Sequence, residues 1–441
     1  MSLRIYGIGA LAASVFAASA AVTAAQAQDG IYVPLLTYRT GAFAGSGIPI
    51  ADGMHDYFTM LNERDGGIGG VPIIVEECET GYDTTRGVEC YESVRGNNPV
   101  VMNPYSTGTT LQLIPRAAVD EIPVLSMGYG LSASVDGSIF PWVFIPPATY
   151  WDGASVFVHH AAEVAGGFEN LEGMTFGLLH LDAPYGREPI PLLNALAEEY
   201  GFEVKLYPVA SQDMQNQSSV WLNVRRDRPD WIYLQGWGAM NPTAVREAVR
   251  TNFPIDRLVG VWWAGGDEDA RAGGSQAAGY KSLAFHAPGA DFPVIDDIIE
   301  YVHDRDLSRF PRDRIGDALY NRGILNAMYI AEGIRTAQEV TGNSKITGAD
   351  MRRGLESMNI TQDRLVEMGM DGFTAPLRIT CEDHRGQADI FVSVWDGERW
   401  TVEGDPLSPL SEFVEPLIRE AASSYAAADA GWPERTEPCD N

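Results

Sequence analysis

Five short segments of the sequence combine small or hydroxyl-bearing residues with aromatic rings, and each follows a predicted β-strand. They are residues 105–109, 126–130, 183–186, 235–237 and 262–267. In sheets of parallel strands, ligands bind outside the carboxyl ends of the strands, where backbone amides and helix N-termini face a crevice. Ordinary loops also contain glycine, serine and threonine, but five such segments together favour a cleft that binds a ligand through backbone donors and ring faces.

The sequence offers little that could carry out catalysis. It has no GxSxG nucleophile motif, no phosphate loop ending in Gly-Lys-Ser or Gly-Lys-Thr, and no HExxH motif. His159 and Glu163 are spaced to share a helix face, but two ligands do not make a metal site. The run Asp267-Glu268-Asp269 is typical of a solvated helix start in a chain with 60 acidic residues. We therefore expect no catalytic residue, no metal and no cofactor.

The elements that must position these segments alternate regularly. From residue 29 onward, short β-rich runs alternate with helical patterns, which is typical of a mostly parallel sheet covered by helices on both faces. This pattern predicts two α/β units of similar size, separated near residues 144–148. The segment after Pro288 is mainly helical and needs a sheet to cover, so its simplest course is a return to the first unit. An apolar run at 388–394 predicts a late strand.

The composition excludes some classes of partner. The chain has 441 residues, with 31 Lys and Arg against 60 Asp and Glu, and its formal net charge is −29. Such an acidic chain can neutralise few phosphates, so we expect no nucleic-acid partner, and anionic membranes are poor candidates. The hydrophobic content of 45% indicates a globular protein and not a disordered one.

The N-terminus has the pattern of an export signal. An apolar, alanine-rich run at 5–22 follows Arg4, and Ala25-Gln26-Ala27 is a small-x-small site of the kind that signal peptidase cleaves. We predict a signal peptide over residues 1–27, cleaved after Ala27, and a periplasmic mature protein. The alternative is an uncleaved membrane anchor, because about 18 apolar residues approach the length that spans a bilayer.

An exported chain can keep disulfides, because its compartment is oxidising. Cys78 and Cys90 lie twelve residues apart, at the end of a predicted strand and inside the next helix, and could form a local bridge. Cys381 and Cys439 would then tie the C-terminal tail to the body of the protein. Four free thiols or a metal site are the alternatives, although the sequence has no CxxC pair.

The chain resembles the periplasmic solute-binding proteins of the branched-chain amino acid and amide class, the exported receptors of ABC importers. The resemblance covers about residues 31–395. Its specific points are the first strand with its glycine-rich loop, the run Leu-Asn-Glu-Arg-Asp-Gly-Gly-Ile-Gly-Gly at 61–70, the spacing of Cys78 and Cys90, Tyr105-Ser106-Thr107, and Asp-Ala-Pro-Tyr-Gly at 182–186.

The resemblance implies a definite architecture. The expected fold class is α/β, with two doubly wound α/β lobes joined by a three-strand hinge, the type I periplasmic binding protein fold. The expected boundaries follow from the chain order. They are lobe 1 from residues 28–147 and 287–375, lobe 2 with the hinge strands from 148–286 and 376–403, and a C-terminal tail over 404–441.

The resemblance also assigns ligand-binding roles. Ser106 and Thr107, at the start of a helix, would bind a ligand carboxylate, while the backbones of Gly128 and Gly130 would face an α-amino group. Amino-acid binders of this class place an acid against the ligand ammonium, but this chain has an Ala-Gly-Gly run at 264–266. Asp267, or Glu268 next to it, would have to replace that acid, and otherwise an α-amino acid ligand is in doubt.

Aromatic residues complete the expected site. Tyr185 and Trp237 would close over the ligand from the second lobe, and Tyr105, Tyr129 and Tyr150 add further rings. Such rings allow a quaternary ammonium, held by cation–π attraction, or an aromatic or amide solute that stacks on them.

These features predict a non-enzymatic periplasmic receptor. It would capture a small organic solute, such as an amino acid or an amide, close about its hinge, and deliver the solute to the membrane permease of an ABC importer. We expect a monomer. The alternatives are a secreted α/β hydrolase working through cleft acids, or a ligand-sensing domain that uses the same cleft.

Overall fold

The computed structural model describes residues 30–428 and 435–439, so the predicted signal peptide at 1–27 lies outside the described residues. The α-helices are α1 Ala44–Asp65, α2 Thr84–Val94, α3 Thr107–Asp120, α4 Tyr150–Ala165, α5 Pro184–Arg187, α6 Ile190–Tyr200, α7 Ser218–Asp227, α8 Met240–Thr251, α9 Asp267–Arg271, α10 Pro293–Tyr301, α11 Ala318–Thr341, α12 Gly348–Glu356, α13 Gln362–Glu367 and α14 Ser411–Ala428. The β-strands are β1 Ile31–Thr37, β2 Ile73–Glu79, β3 Val124–Leu125, β4 Val143–Phe144, β5 Thr175–Leu181, β6 Glu203–Val209, β7 Trp231–Gln235, β8 Leu258–Gly260, β9 Lys281–Ala284, β10 Asn359–Ile360, β11 Leu377–Arg378, β12 Phe391–Trp395 and β13 Trp400–Val402.

The first lobe is built on short parallel strands. β1 pairs with β2, and β3 pairs with β4, both in parallel. Isolated bridges from Asn103 to β1 and from Met102 to β3 connect the two pairs into one layer. Every residue of β1 is buried, because helices cover both faces of the layer.

Helices α1 and α11 pack unusually closely in the first lobe, since a glycine of each faces the other helix. A Cβ atom on Gly53 would lie 2.2 Å from the carbonyl oxygen of Tyr320, and one on Gly323 would lie 2.1 Å from the carbonyl oxygen of Ile50. Only glycine permits this approach. The contact fixes the position of the first turns of α11, which reach the second lobe.

The second lobe contains a seven-stranded sheet in the order β13-β12-β9-β8-β7-β5-β6. Its strands from β9 to β6 are parallel, whereas β12 and β13 are antiparallel additions at one edge. The helix that enters this lobe, α4, begins at a capping box in which Thr149 and Asp152 bond each other's backbone N–H groups. This cap fixes Tyr150 at the first turn, next to the other lobe.

The chain passes three times between the two lobes. The crossings run from β4 to α4, from β9 to α10, and from β11 to β12. The N–H of Ile145 in the first crossing donates to the carbonyl oxygen of His384 in the third, at 3.0 Å. The predicted α/β class, with two lobes and a three-strand hinge, is confirmed, while the predicted boundary residues stay predictions.

The region predicted as a tail, 404–441, contains the helix α14. Its residues Val414, Ile418 and Ala422 recur every four positions and are buried, and α14 packs on α4 and α6 of the second lobe. The sequence prediction missed this helix because alanine, proline and acidic residues dominate the composition of the segment. None of the helices of residues 30–428 is long and apolar enough to cross a bilayer.

Both predicted cysteine pairs form disulfides. Cys78 at the end of β2 bonds Cys90 in α2, with Cα atoms 5.7 Å apart, and Cys381 bonds Cys439, with Cα atoms 5.5 Å apart. The first bridge therefore holds α2 on the edge strand β2. The second attaches residues 435–439 to the third crossing between the lobes.

We predict that the double variant Cys78→Ser/Cys90→Ser folds with a lower free energy of unfolding. A bridge closing a loop of this length restricts the unfolded chain and contributes about 3 kcal/mol. Urea denaturation followed by circular dichroism measures the loss, and treatment of the wild-type protein with a reductant should lower its urea midpoint as well. A midpoint unchanged in the double variant would contradict a structural role for this bridge.

Candidate functional site

Nine aromatic side chains meet where the two lobes face each other, and we call them the aromatic cluster. Its members are Tyr38, Tyr82, Tyr105 and Tyr129 from the first lobe, and Tyr150, Tyr185, Trp237, Trp262 and Trp263 from the second. All except the half-buried Tyr82 are buried. The cluster therefore forms the boundary between the lobes.

Rings from opposite lobes are in direct contact within the cluster. Tyr129 stacks on Trp263 with ring centroids 4.2 Å apart. Trp237 lies edge-on to Tyr38 and Tyr129, at 6.1 and 6.5 Å between centroids. Stacked and edge-on pairs of this kind add to the free energy gained by burying the rings, so the cluster stabilises the contact between the lobes.

One backbone carbonyl joins the lobes at the centre of the cluster. The carbonyl oxygen of Gly128, just after β3, accepts hydrogen bonds from the indole N–H groups of Trp262, at 2.9 Å, and Trp263, at 3.1 Å. A carbonyl oxygen has two lone pairs, so this acceptor is saturated. In this structure the carbonyl group of Gly128 contacts two indoles, and its expected contact to a ligand α-amino group stays a prediction.

The tyrosine hydroxyls of the cluster are neutral hydrogen-bonding groups. Tyr38 and Tyr129 share a hydrogen bond of 3.1 Å between their hydroxyl oxygens, and Tyr185 donates to the carbonyl oxygen of Gly236 at 2.8 Å. Burial raises the pKa of each of these hydroxyls well above its ordinary value. They therefore remain protonated at physiological pH. The O–H of Tyr185 is already donated to Gly236, whereas one O–H of the Tyr38–Tyr129 pair can donate to an anion or to a carbonyl group.

Two further polar groups face this region. Ser106 caps α3 by accepting from the N–H of Thr109 at 3.3 Å, and the Thr107 hydroxyl accepts from the N–H of Gly130 at 3.1 Å. The indole nitrogen of Trp237 is buried, and it has no hydrogen-bond partner among the described residues. A helix N-terminus and a free indole donor both favour an acceptor group on the ligand.

Two carboxylates of the second lobe bond the backbone of the first. Asp267 accepts from the N–H of Ala318, the first residue of α11, at 2.8 Å. Glu188 accepts from the N–H of Ser132, which begins a short 3₁₀ helix. Each carboxylate thus lies at the positive end of a helix in the opposite lobe, which is a favourable position for a negative charge.

Both carboxylates have raised pKa values. Desolvation raises the pKa of Glu188 to about 7. Desolvation, with a smaller contribution from the nearby Asp317, raises the pKa of Asp267 to about 6. Both groups lie between the lobes, where desolvation disfavours their ionised forms.

A cavity of about 250 Å³ lies between the lobes beside the Asp267 contact. Its lining includes Ala42 and Ser46 from the first lobe and Gly238 and Asp267 from the second. Among the described residues, no group of three His, Cys, Asp or Glu side chains is placed to hold a metal ion.

A family model described as "Periplasmic binding protein" matches residues 30–399 of the chain. The chain belongs to the periplasmic binding protein family. This match confirms the predicted fold class and the predicted role as a periplasmic solute receptor. A comparison with curated protein sequences gives no significant match.

Solved structures of ABC transporter proteins have the same fold. A protein of the Pseudomonas fluorescens group described as an ABC transporter permease is 37% identical, with a TM-score of 0.86. The match covers 93% of the present chain and 100% of the chain of that protein. A branched-chain amino acid ABC transporter protein from Thermus thermophilus with bound valine is 20% identical, with a TM-score of 0.75 and coverages of 88% and 99%. A solute-binding protein from R. palustris in complex with benzoate is 16% identical, with a TM-score of 0.66 and coverages of 86% and 97%.

The structure of this periplasmic binding protein brings most of the predicted site residues together. The aromatic cluster and its immediate neighbours include Tyr105, Ser106, Thr107, Gly128, Tyr129, Gly130, Tyr150, Tyr185 and Trp237. Asp267 lies apart from them at the cavity, where its carboxylate bonds α11. The Tyr105 hydroxyl points away from the lobe boundary and bonds the sulfur of Met54.

Sequence reasoning missed four residues that the structure places at the lobe boundary. Tyr38 and Tyr82 follow β1 and β2 directly, so the rule that ligands bind beyond strand ends would have found them. Glu188 lies between two helices, and Arg322 lies inside the long helix α11. Neither residue belongs to a sequence pattern that indicates a place at the lobe boundary.

We predict that solute affinity falls as the pH rises from about 4 to about 7, between the ordinary pKa values of the two carboxyls and their raised values. In the open state both carboxyls are solvated and titrate at ordinary values, whereas closure raises their pKa, so closure takes up protons in this range. Each carboxyl changes the affinity by up to about tenfold per pH unit. Isothermal titration calorimetry at several pH values measures this dependence.

The variants Glu188→Gln and Asp267→Asn should each flatten the pH dependence, because an uncharged amide is buried without the penalty of a carboxylate. The exposed Glu198→Gln on α6 is the matched control and should leave the profile unchanged. An equally steep profile in both site variants would contradict the assignment.

Proposed function

We propose that this protein captures a small organic solute between its two lobes and releases it, chemically unchanged, to the permease of an ABC importer. The observation that carries the proposal is the aromatic cluster, whose rings come from both lobes and contact each other across the lobe boundary. Opening the hinge would expose these rings, and a solute that replaces some ring contacts would favour closure by binding the closed state better.

The proposed ligand contacts follow from the geometry. Ser106 and Thr107 at the start of α3 provide donors for a carboxylate or carbonyl oxygen of the solute. Tyr129, Tyr150, Tyr185 and the indole N–H of Trp237 provide ring faces and further donors. Tyr105 contributes a ring wall, since its hydroxyl bonds Met54. Gly128 and Gly130 shape the floor of the site by backbone contacts within the protein.

Two of the structural relatives give precedents for the solute. The Thermus thermophilus protein holds valine and the R. palustris protein holds benzoate. The many rings of this chain favour a solute with a flat face over a purely aliphatic one. The family match does not favour the hydrolase alternative.

We also propose how the protein is processed and in which oligomeric state it acts. The signal peptide is cleaved after Ala27, so the exported chain begins at Gln28, and the protein acts as a monomer. Edman sequencing of the exported protein and analytical ultracentrifugation test these two statements.

We predict that a panel of amino acids, amides, betaines and aromatic acids contains at least one solute that stabilises the protein. A solute at 100 times its dissociation constant raises the free energy of unfolding by about 2.7 kcal/mol. Differential scanning fluorimetry detects the rise, and NMR of the released solute should show it unchanged. No stabilisation by any class, or turnover of a bound solute, would contradict the receptor function.

The variant Trp237→Phe should bind that solute about tenfold more weakly, because a buried aromatic anchor loses area and its indole donor. Trp221→Phe is the matched control, since Trp221 is equally buried in the second lobe and packs on Phe253, away from the aromatic cluster. Equal effects of the two variants would argue against a ligand contact by Trp237.

A further inference from the structure

The helix α11 carries a buried cation to the boundary between the lobes. Arg322 is 1% exposed. One terminal nitrogen of its guanidinium donates to the carbonyl oxygen of Trp262 at 3.1 Å. The guanidinium carbon lies 5.4 Å from the ring centroid of Trp263 and 5.0 Å from that of Phe285. A residue of the first lobe thus supports the tryptophan pair of the second lobe.

Within the described residues, no carboxylate forms an ion pair with Arg322, and its Nε atom has no hydrogen-bond partner. Burial lowers the pKa of the guanidinium to about 9, so it is still charged at neutral pH. A buried charge without a counter-ion is costly, and proteins normally pair it. In a chain with 60 acidic residues, this lack of a partner is a specific feature of the lobe boundary.

The carboxylates closest to this region already accept N–H groups of the protein. Asp267 bonds the N–H of Ala318, and Glu188 bonds the N–H of Ser132. Asp269 accepts from the side-chain amide of Asn241 at 3.1 Å and from the N–H of Gly266 at 3.3 Å. The carbonyl oxygen of Gly128 is saturated by two indoles. A ligand ammonium would therefore compete with these N–H donors for the carboxylates and with two indoles for the carbonyl oxygen of Gly128.

We propose that the solute is an organic anion without an ammonium group, a carboxylate on a flat aromatic or unsaturated body, and that Arg322 determines this specificity. The inference rests on the proposed receptor function and names the class of its solute. The rings of the cluster stack on the flat body, and the tyrosine hydroxyls and the start of α3 bond the carboxylate. Arg322, behind Trp263, provides the compensating positive charge without direct contact.

The same charge excludes the cationic ligands that an aromatic cluster would otherwise accept. A quaternary ammonium binds to ring faces that carry negative potential. The guanidinium of Arg322 lies over the ring of Trp263 and repels a second cation near this ring. A unit charge within about 10 Å, at an effective dielectric constant of about 20, changes affinity by roughly tenfold.

The test uses the full exported chain and four probes that share a phenyl ring but differ in charge, with L-valine as an aliphatic zwitterion. The probes are benzoate, benzamide, L-phenylalanine and benzyltrimethylammonium, and isothermal titration calorimetry gives the affinities. We expect benzoate to bind at least about tenfold more tightly than each of the other four.

The variant Arg322→Gln should remove the preference for benzoate over benzamide, and Arg322→Lys should retain it, because lysine keeps the charge. Arg335→Gln, at a half-buried position of the same helix where Arg335 pairs with Glu332, is the control and should leave the preference unchanged. The ratio of the benzoate affinity to the benzamide affinity reports the effect of the charge alone, because a general loss of packing would weaken the binding of both probes equally.

The inference is overturned if valine, phenylalanine or the ammonium probe binds more tightly than benzoate, and the receptor function then stands. It is also overturned if Arg322→Gln weakens benzoate and benzamide equally. If none of the five probes binds, the solute class is wrong, and the broader fluorimetric panel decides the receptor function separately.

Discussion

The carbonyl group of Gly128 is the contact on which the closed structure depends. It accepts two indole N–H groups from the opposite lobe, and this is possible only because residue 128 is glycine. Its backbone φ is +64°, and a Cβ atom there would lie 2.6 Å from the ring of Phe285 and 2.9 Å from the indole nitrogen of Trp262. The end of β3, the end of β8 and the second hinge crossing must therefore meet within a few ångströms.

The two kinds of contact between the lobes, aromatic rings and carboxylates, have opposite effects on lobe closure. The aromatic cluster buries a large apolar area and favours closure at any pH. The carboxylates of Glu188 and Asp267 bond backbone N–H groups of the first lobe and so align the two lobes. Their ionised forms, however, lose hydration when the lobes meet. Closure is thus a small difference between large opposing contributions, and a solute can shift such an equilibrium by binding one state better than the other.

Much of this arrangement could be predicted from the sequence, because the carboxyl ends of parallel strands always meet at one edge of a sheet. From that rule we could predict that Thr107, Tyr129, Tyr185 and Trp237 lie beyond the strand ends, near the lobe boundary. The order of the lobes along the chain could also be predicted. The rule could not locate Arg322, since only the close Gly53 and Gly323 packing of α1 on α11 brings that helix to the boundary. Nor could it show that the start of α11, about 50 residues further along the chain, provides an N–H group for Asp267 to bond. The expected contact of Asp267 with a ligand stays a prediction.

The central claim is that the lobes move together when a solute binds, and the distance between them tests it most directly. All cysteines of the described residues are in disulfides, so nitroxide labels can be placed at Val119→Cys in the first lobe and Leu222→Cys in the second, both at exposed positions. Double electron–electron resonance should give a broad distribution in the free protein and a single shorter distance at saturation with a bound solute. Identical distributions in the two states would contradict closure about the solute.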